Sequence, residues 1–277
     1  MIMDTNEVIV EALGQLVDYA TPTIPDAASG RLRDCAVYRG LTDATRSLLT
    51  SLDRLGGVSP PHSKAHLEEH ILRNFIRYSR PHLEQGQTSI LELLITAQHH
   101  GLPTRLLDWT YSPLVAAHFA TIKHNEDTDR VVWKLDWVRV HEHFGLQPLA
   151  FLESDFEKLL HDRRLESIWD LFHLDDTFDK PFVCMLEPPS LNPRIVSQSA
   201  TFTICSTKTQ PLEVLLRSHN LTCALTRFII PASRVHYIRD QLDLCSIDER
   251  RLLPDLDGVA AEMRRYYSSS LSSDRKT

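Results

Sequence analysis

The run from Gln98 to Ala120, QHHGLPTRLLDWTYSPLVAAHFA, constrains this chain more than any other segment. The pattern upstream predicts a helix over residues 90–99, and Gly101 and Pro103 end it, because glycine accepts positive φ and proline offers no backbone donor. Leu106 and Leu107 read as a short buried strand. Thr110 or Ser112 is placed to cap a second helix with Pro113 in its first turn. Ala116, Ala117 and Ala120 give that helix a thin face on which neighbouring backbone can approach closely. Two imidazoles, a guanidinium, a carboxylate, an indole and a hydroxyl thus collect between two helices, which is the layout of a site. The plainer alternative pairs Arg105 with Asp108 as a structural ion pair and leaves Trp109 in the core.

A chain of 277 residues with 42% hydrophobic content can bury a full core. The division expected is an N-terminal helix and linker over 1–30, one large domain over 31–267 with a helical excursion near 151–175, and a serine-rich disordered tail over 268–277. Lys and Arg number 30 against 37 Asp and Glu, so the bulk charge of −7 announces neither a nucleic-acid nor an anionic-membrane surface, while leaving room for local basic patches. The five cysteines, at 35, 184, 205, 223 and 245, form no CxxC pair and fit reduced thiols. No apolar window is long enough to cross a bilayer, and the N-terminus lacks a charged segment leading into an apolar one. The expectation is a soluble cytoplasmic protein.

Along the chain, residues 1–20 suggest an amphipathic helix, 35–40 a strand ending in glycine, and 63–78 a helix stopped by Pro81. Val131, Trp133, Leu135 and Trp137 alternate on one face, which predicts a strand over 130–138 and a βαβ-like connection over 106–138. Residues 183–186, 195–204 and 221–230 read as further strands, the second because of its β-branched residues. A helix is expected over 233–244, and residues 252–260 read as a turn into a helix capped by Asp255 or Asp257. The fold class is α+β, a mixed central sheet flanked by helices.

Three other clusters carry chemistry. His66-Leu67-Glu68-Glu69-His70 has zinc-site spacing on a helix, yet it also reads as an ordinary solvated face, and no third ligand can be singled out, so no metal is assigned. Tyr38-Arg39-Gly40 ends a strand with a planar fork of donors suited to phosphate, and Gly40 would let a ligand approach the backbone. Arg194, Ser197 and Gln198 stand near one strand terminus, where Arg194 can meet a phosphate and Gln198 a sugar hydroxyl. No Walker, GxGxxG or GxSxG motif and no RNA-binding aromatic signature is present.

Taken together, Tyr38-Arg39-Gly40, the run from Gln98 to Thr110 with Pro113 to Ala120, Asn192-Pro193-Arg194-Ile195 with Gln198 and Phe202, and Pro254 to Gly258 resemble the FRG domain family. Ala200 stands where a small glycine-like residue is common. A further similarity is to ADP-ribosyltransferases, whose first motif is an arginine on a strand, often in a Tyr-Arg-Gly string, that binds NAD phosphates. Their second motif, a strand ending in Ser-Thr-Ser before an alanine-rich helix, is similar to residues 107–110 with 113–120. Their catalytic glutamate has no match. The resemblance implies an ADP-ribosyltransferase-like architecture and an NAD-using enzyme serving as a toxin or defence effector. It implies Arg39 and Arg105 on the pyrophosphate, with Tyr38, Gly40, Thr104, Thr110 and Arg194 around the cofactor. His99 or His100 would meet the ribose, Trp109 would stack on a ring, and Asp108 or Gln198 would position the ribose in the catalytic step. The macromolecular acceptor is unassigned, with nucleic acid one possible target. The competing class is a non-enzymatic module binding a nucleotide, RNA or protein through the same residues.

Overall fold

The computed structural model describes residues 6–56, 58–59, 62–82, 89–123, 127–173, 183–190, 192–205 and 210–268. The tail expected from residue 268 lies outside these residues except for Ser268. Strands are β1 (Asn6–Ile9), β2 (Val37–Leu41), β3 (Leu107–Thr110), β4 (Arg130–Leu135), β5 (Val183–Leu186), β6 (Ala200–Cys205) and β7 (Leu225–Ile230). Helices are α1 (Leu13–Ala20), α2 (Lys64–Ser79), α3 (Ile90–His99), α4 (Pro113–Thr121), α5 (Trp137–His143), α6 (Glu153–Asp162), α7 (Ile168–His173), α8 (Pro193–Ser197), α9 (Leu212–Ser218), α10 (Val235–Leu244), α11 (Glu249–Leu252) and α12 (Leu256–Tyr266).

The strands form one mixed sheet in the order β1-β7-β4-β2-β3-β6-β5, with β1 parallel to β7 and the other pairs antiparallel. The α+β expectation holds. β3 and β4 both run antiparallel to β2, so the connection through α4 joins parallel strands with β2 between them. Alternation along β4 works as the sequence indicated: Val131, Trp133 and Leu135 pack on one face with Leu107, Trp109 and Val37. Tyr38, Val132 and Phe228 face the other way, under α1, α4 and α10. A third cluster joins α2, α3, α6 and α7 to β5 and β6, so the charged excursion after Phe151 is anchored by Phe156, Leu171 and Phe172.

Four elements differ from the sequence expectation, the simplest being the strand expected over 221–230, which begins at Leu225 after a 3-10 turn at 222–224. Residues 1–20 are not one helix: Asn6–Ile9 pair with residues 226–229 of β7 before α1 begins at Leu13. The strand at 130 stops at Leu135, because Asp136 turns its side chain onto the Arg139 N–H at 3.2 Å and starts α5, leaving Trp137 in the same core from a helix. Residues 195–204 are not one strand either. The Asn192 side chain accepts from the Ile195 N–H at 3.0 Å, Pro193 fills the first turn, and α8 runs to Ser197. Ser199, at φ +46°, then reverses the chain into β6.

The motif helix α4 starts at its Ser112 cap, whose hydroxyl accepts from the Val115 N–H at 3.3 Å, with Pro113 at the first position. Its alanine face lies against β2. A Cβ on Gly40 would stand 1.9 Å from the Ala116 carbonyl oxygen and 2.5 Å from the Ala120 nitrogen. The close approach that Gly40 permits is therefore that of α4 rather than of a ligand, correcting the role expected for it, although Gly40 also borders the cleft described next.

Candidate functional site

β2 and β3 are neighbours in the sheet yet pair only at Tyr38↔Thr110, whereas β2 pairs with β4 at five positions and β3 with β6 at four. A cleft of about 430 Å³ borders this sparsely paired junction, within the size range of small-molecule pockets. Its walls come from β2 and β3, the end of α3, α4, α8 and the segment carrying Ser51 and Arg54.

Arg39 borders the cleft with its side chain 14% exposed. Its Nη1 donates to the Asp108 main-chain carbonyl at 2.6 Å and to Oδ2 of the same residue at 3.1 Å, while its buried Nε has no partner. Asp108, its side chain 54% exposed, also accepts from the Gln98 amide. The Gln98 carbonyl in turn accepts from the Thr104 hydroxyl. Arg54 lies on the same cleft and donates to the Leu49 carbonyl at 2.8 Å. Partial burial and the Arg39 charge hold its guanidinium below its ordinary pKa. Its segment is braced by Thr104, whose N–H donates to Ser51 Oγ at 3.0 Å and whose carbonyl accepts from the Leu52 N–H at 3.1 Å.

Arg194 enters from α8, and no carboxylate pairs with it among the described residues. His99 ends α3 on the cleft, its pKa lowered by burial, then by the charge of Arg194 and by His100. The neutral imidazole is thereby favoured, and it can donate or accept a hydrogen bond. The cleft thus presents three guanidinium groups, with Asp108 as the carboxylate on its wall. In a chain of net charge −7 this is a local concentration of positive charge.

Several residues expected at the site are committed elsewhere. Arg105 is not on the cleft: its Nε pairs with Glu68, its N–H donates to the same carboxylate at 2.6 Å, and its guanidinium lies 3.7 Å from the Phe172 ring centre. The structural pairing expected between Arg105 and Asp108 is therefore two separate pairs, Arg105 with Glu68 and Arg39 with Asp108. Thr104 is fully buried behind the wall. Trp109 borders the cleft, but its indole is 3% exposed and donates to Thr203 Oγ1 at 3.0 Å, an arrangement unsuited to stacking on a ligand. Thr110 donates to the Gln198 carbonyl at 2.7 Å. Gln198 caps the end of α8 instead of lying in a strand, and its amide donates to the Leu252 carbonyl at 2.9 Å. The Tyr38 hydroxyl donates to Asp34, and burial followed by that contact raises its pKa. His100 is exposed.

The zinc-like spacing on α2 resolves into packing and capping. Ser63 Oγ accepts from the His66 N–H at 3.3 Å, and the Ser63 N–H donates to His66 Nδ1 at 3.3 Å. Glu68 is buried under Arg105, and His70 contacts Asn74. Among the described residues no three His, Cys, Asp or Glu side chains gather as a metal site.

Residues 34–129 match the FRG domain family. The matched segment runs from just before β2 to just before β4, and so carries Arg39, Arg54, Gln98, His99 and Asp108, while α8 with Arg194 and Gln198 lies beyond it. No curated protein and no solved structure matches the chain. Sequence reasoning misses the parts of Gln98, which opens the motif, and of Arg54, which sits in a segment with no motif of its own. All five cysteines are free, and among the described residues no helix is long and apolar enough to cross a membrane.

Proposed function

We propose that the cleft binds NAD and acts as an ADP-ribosyltransferase-like site. The observation that carries this reading is the excess of guanidinium groups over carboxylate on one small cleft beside the sparsely paired β2–β3 junction. Charge left uncompensated in a partly desolvated cleft favours an anionic ligand, and arginine forks match phosphate oxygens. In this assignment Arg39 and Arg54 hold the pyrophosphate, Arg54 taking the place expected for Arg105. His99 hydrogen-bonds a ribose hydroxyl, and Arg194 supplies charge at the α8 wall.

Asp108 would face the nicotinamide ribose. When the glycosidic bond to nicotinamide breaks, its electron pair leaves with nicotinamide and C1′ becomes cationic. A fixed carboxylate lowers the energy of that centre until water or an acceptor nucleophile adds. Gln198, a neutral amide already donating to Leu252, is left in a supporting position at the wall.

Calorimetric titration with NAD and ADP-ribose, paired with an assay of nicotinamide release, tests the reading. Saturable binding that Arg39→Ala weakens, with nicotinamide released by the wild type, is expected; absence of nucleotide binding by the wild type overturns it. The engagement of Asp108 by both Arg39 and Gln98 favours a second reading, a nucleotide-binding module without turnover. Binding with no nicotinamide release selects the module. A toxin or defence role would add NAD loss in cells expressing the wild type and none with Arg39→Ala.

A further inference from the structure

We infer that Gln98, held from behind by Thr104, is a positioning residue that fixes the Asp108 carboxylate as an acceptor and, through it, the Arg39 fork. The direction of every bond in the chain follows from its outer end, where the Asp108 carboxylate beside Arg39 can only accept. The Gln98 amide end turned toward Oδ1 is therefore the NH2, which leaves Oε1 to take the Thr104 hydroxyl proton. Thr104 is fully buried, and its hydroxyl oxygen also accepts from the Leu106 N–H at 3.3 Å. Oδ2 accepts from Arg39 Nη1 at 3.1 Å, and the same nitrogen donates to the Asp108 carbonyl at 2.6 Å.

Both carboxylate oxygens are thus engaged by donors of the protein, and the ligand group that meets Asp108 is a hydrogen-bond donor or a positive centre. The backbone of Thr104 also holds Ser51 and Leu52, so one buried threonine braces both the Asp108–Arg39 pair and the segment presenting Arg54. This deepens the NAD reading and rests on it only for the choice of nucleotide in the second measurement below.

The test compares Thr104→Val, which loses the hydroxyl, with Thr104→Ser, which keeps it. In ligand-free protein, nitrogen-detected NMR of the Arg39 guanidinium should show restricted rotation in the wild type and in Thr104→Ser, and faster rotation in Thr104→Val. Affinity for ADP-ribose should fall about tenfold in Thr104→Val, the scale of one hydrogen bond, and be rescued by Thr104→Ser. Gln98→Leu should give the Arg39 and affinity results of Thr104→Val, and serves if that variant does not fold. Unchanged Arg39 rotation in both Thr104→Val and Gln98→Leu, or equal losses in the valine and serine variants, overturns the inference. If the wild type binds no nucleotide while Arg39 responds as stated, the NAD reading falls and the positioning role stands.

Discussion

Replacing Gly40 by alanine should unfold the protein at a distinctly lower temperature, whether or not a ligand is present. The added Cβ would sit 1.9 Å from the Ala116 oxygen, 2.5 Å from the Ala120 nitrogen and 3.0 Å from the Ala116 carbonyl carbon. All three are backbone atoms of α4, so no side-chain rotation relieves the contact. Moving the closest atom out to 3.0 Å requires β2 and α4 to separate by at least about 1.1 Å. That opens the core in which Ala116, Ala117 and Ala120 pack on Tyr38, Val132 and Phe228. Overpacking typically costs about 1–3 kcal/mol, and a clash confined to backbone belongs at the upper end, ~3 kcal/mol. At roughly 2–4 °C per kcal/mol for a domain of somewhat smaller size, the melting temperature should fall by roughly 6–12 °C. Circular dichroism melts, checked against urea midpoints, measure this. Ala116→Gly should not rescue the variant, since the atoms struck remain. A melting temperature within about 2 °C of the wild type, with only ligand binding lost, would refute the packing role and return Gly40 to the ligand.

Two further perturbations probe the buried charges. Glu68→Ala strands the Arg105 guanidinium at 11% exposure and should cost about 3–5 kcal/mol in urea unfolding; Glu68→Met with Arg105→Met should be milder, because both charges then leave together. Equal losses in the single and double variants would count against the ion-pair account. His118, fully buried and accepting from Arg239 Nη1 at 2.9 Å, has its pKa pushed down to about 4, first by burial and then by the Arg239 charge. The unfolded histidine binds its proton near 6.5 and the folded one only near 4, so this residue's contribution is full above about 6.5 and is lost as pH falls toward 4. His118→Gln should flatten the stability profile in that window. An unchanged slope there would contradict a buried neutral imidazole.

What the sequence made legible was local. Ser112 with Pro113 marks the start of α4, and of the two carboxylates offered as caps for α12 it is Asp255 that accepts from the Gly258 N–H, at 2.8 Å. Asn192 with Pro193 carried an equally local signal, but the β-branched Ile195 and Val196 pointed to a strand, and the cap decided the conformation. Non-local pairing was not legible. β1 exists because residues 6–9 meet residues 226–229, and nothing within the first twenty residues encodes that edge. The site followed the same division. Arg39 and Asp108 could be named from their motifs, whereas exchanging Arg105 for Arg54 required knowing that Glu68, 37 residues upstream, lies buried under Arg105. Of the helix segment that reads as solvated in sequence, His66, Glu69 and His70 are exposed, while Glu68 alone turns inward to Arg105, which lies over Phe172 of α7.

In the proposed function, the cleft beside the β2–β3 junction holds a phosphorylated nucleotide on its arginines. Calorimetric titration of ADP-ribose into the wild type, Arg39→Ala and Arg54→Ala tests it most directly. Saturable binding by the wild type, weakened in both variants, is the predicted result. No binding by the wild type, or binding that neither substitution alters, would contradict it.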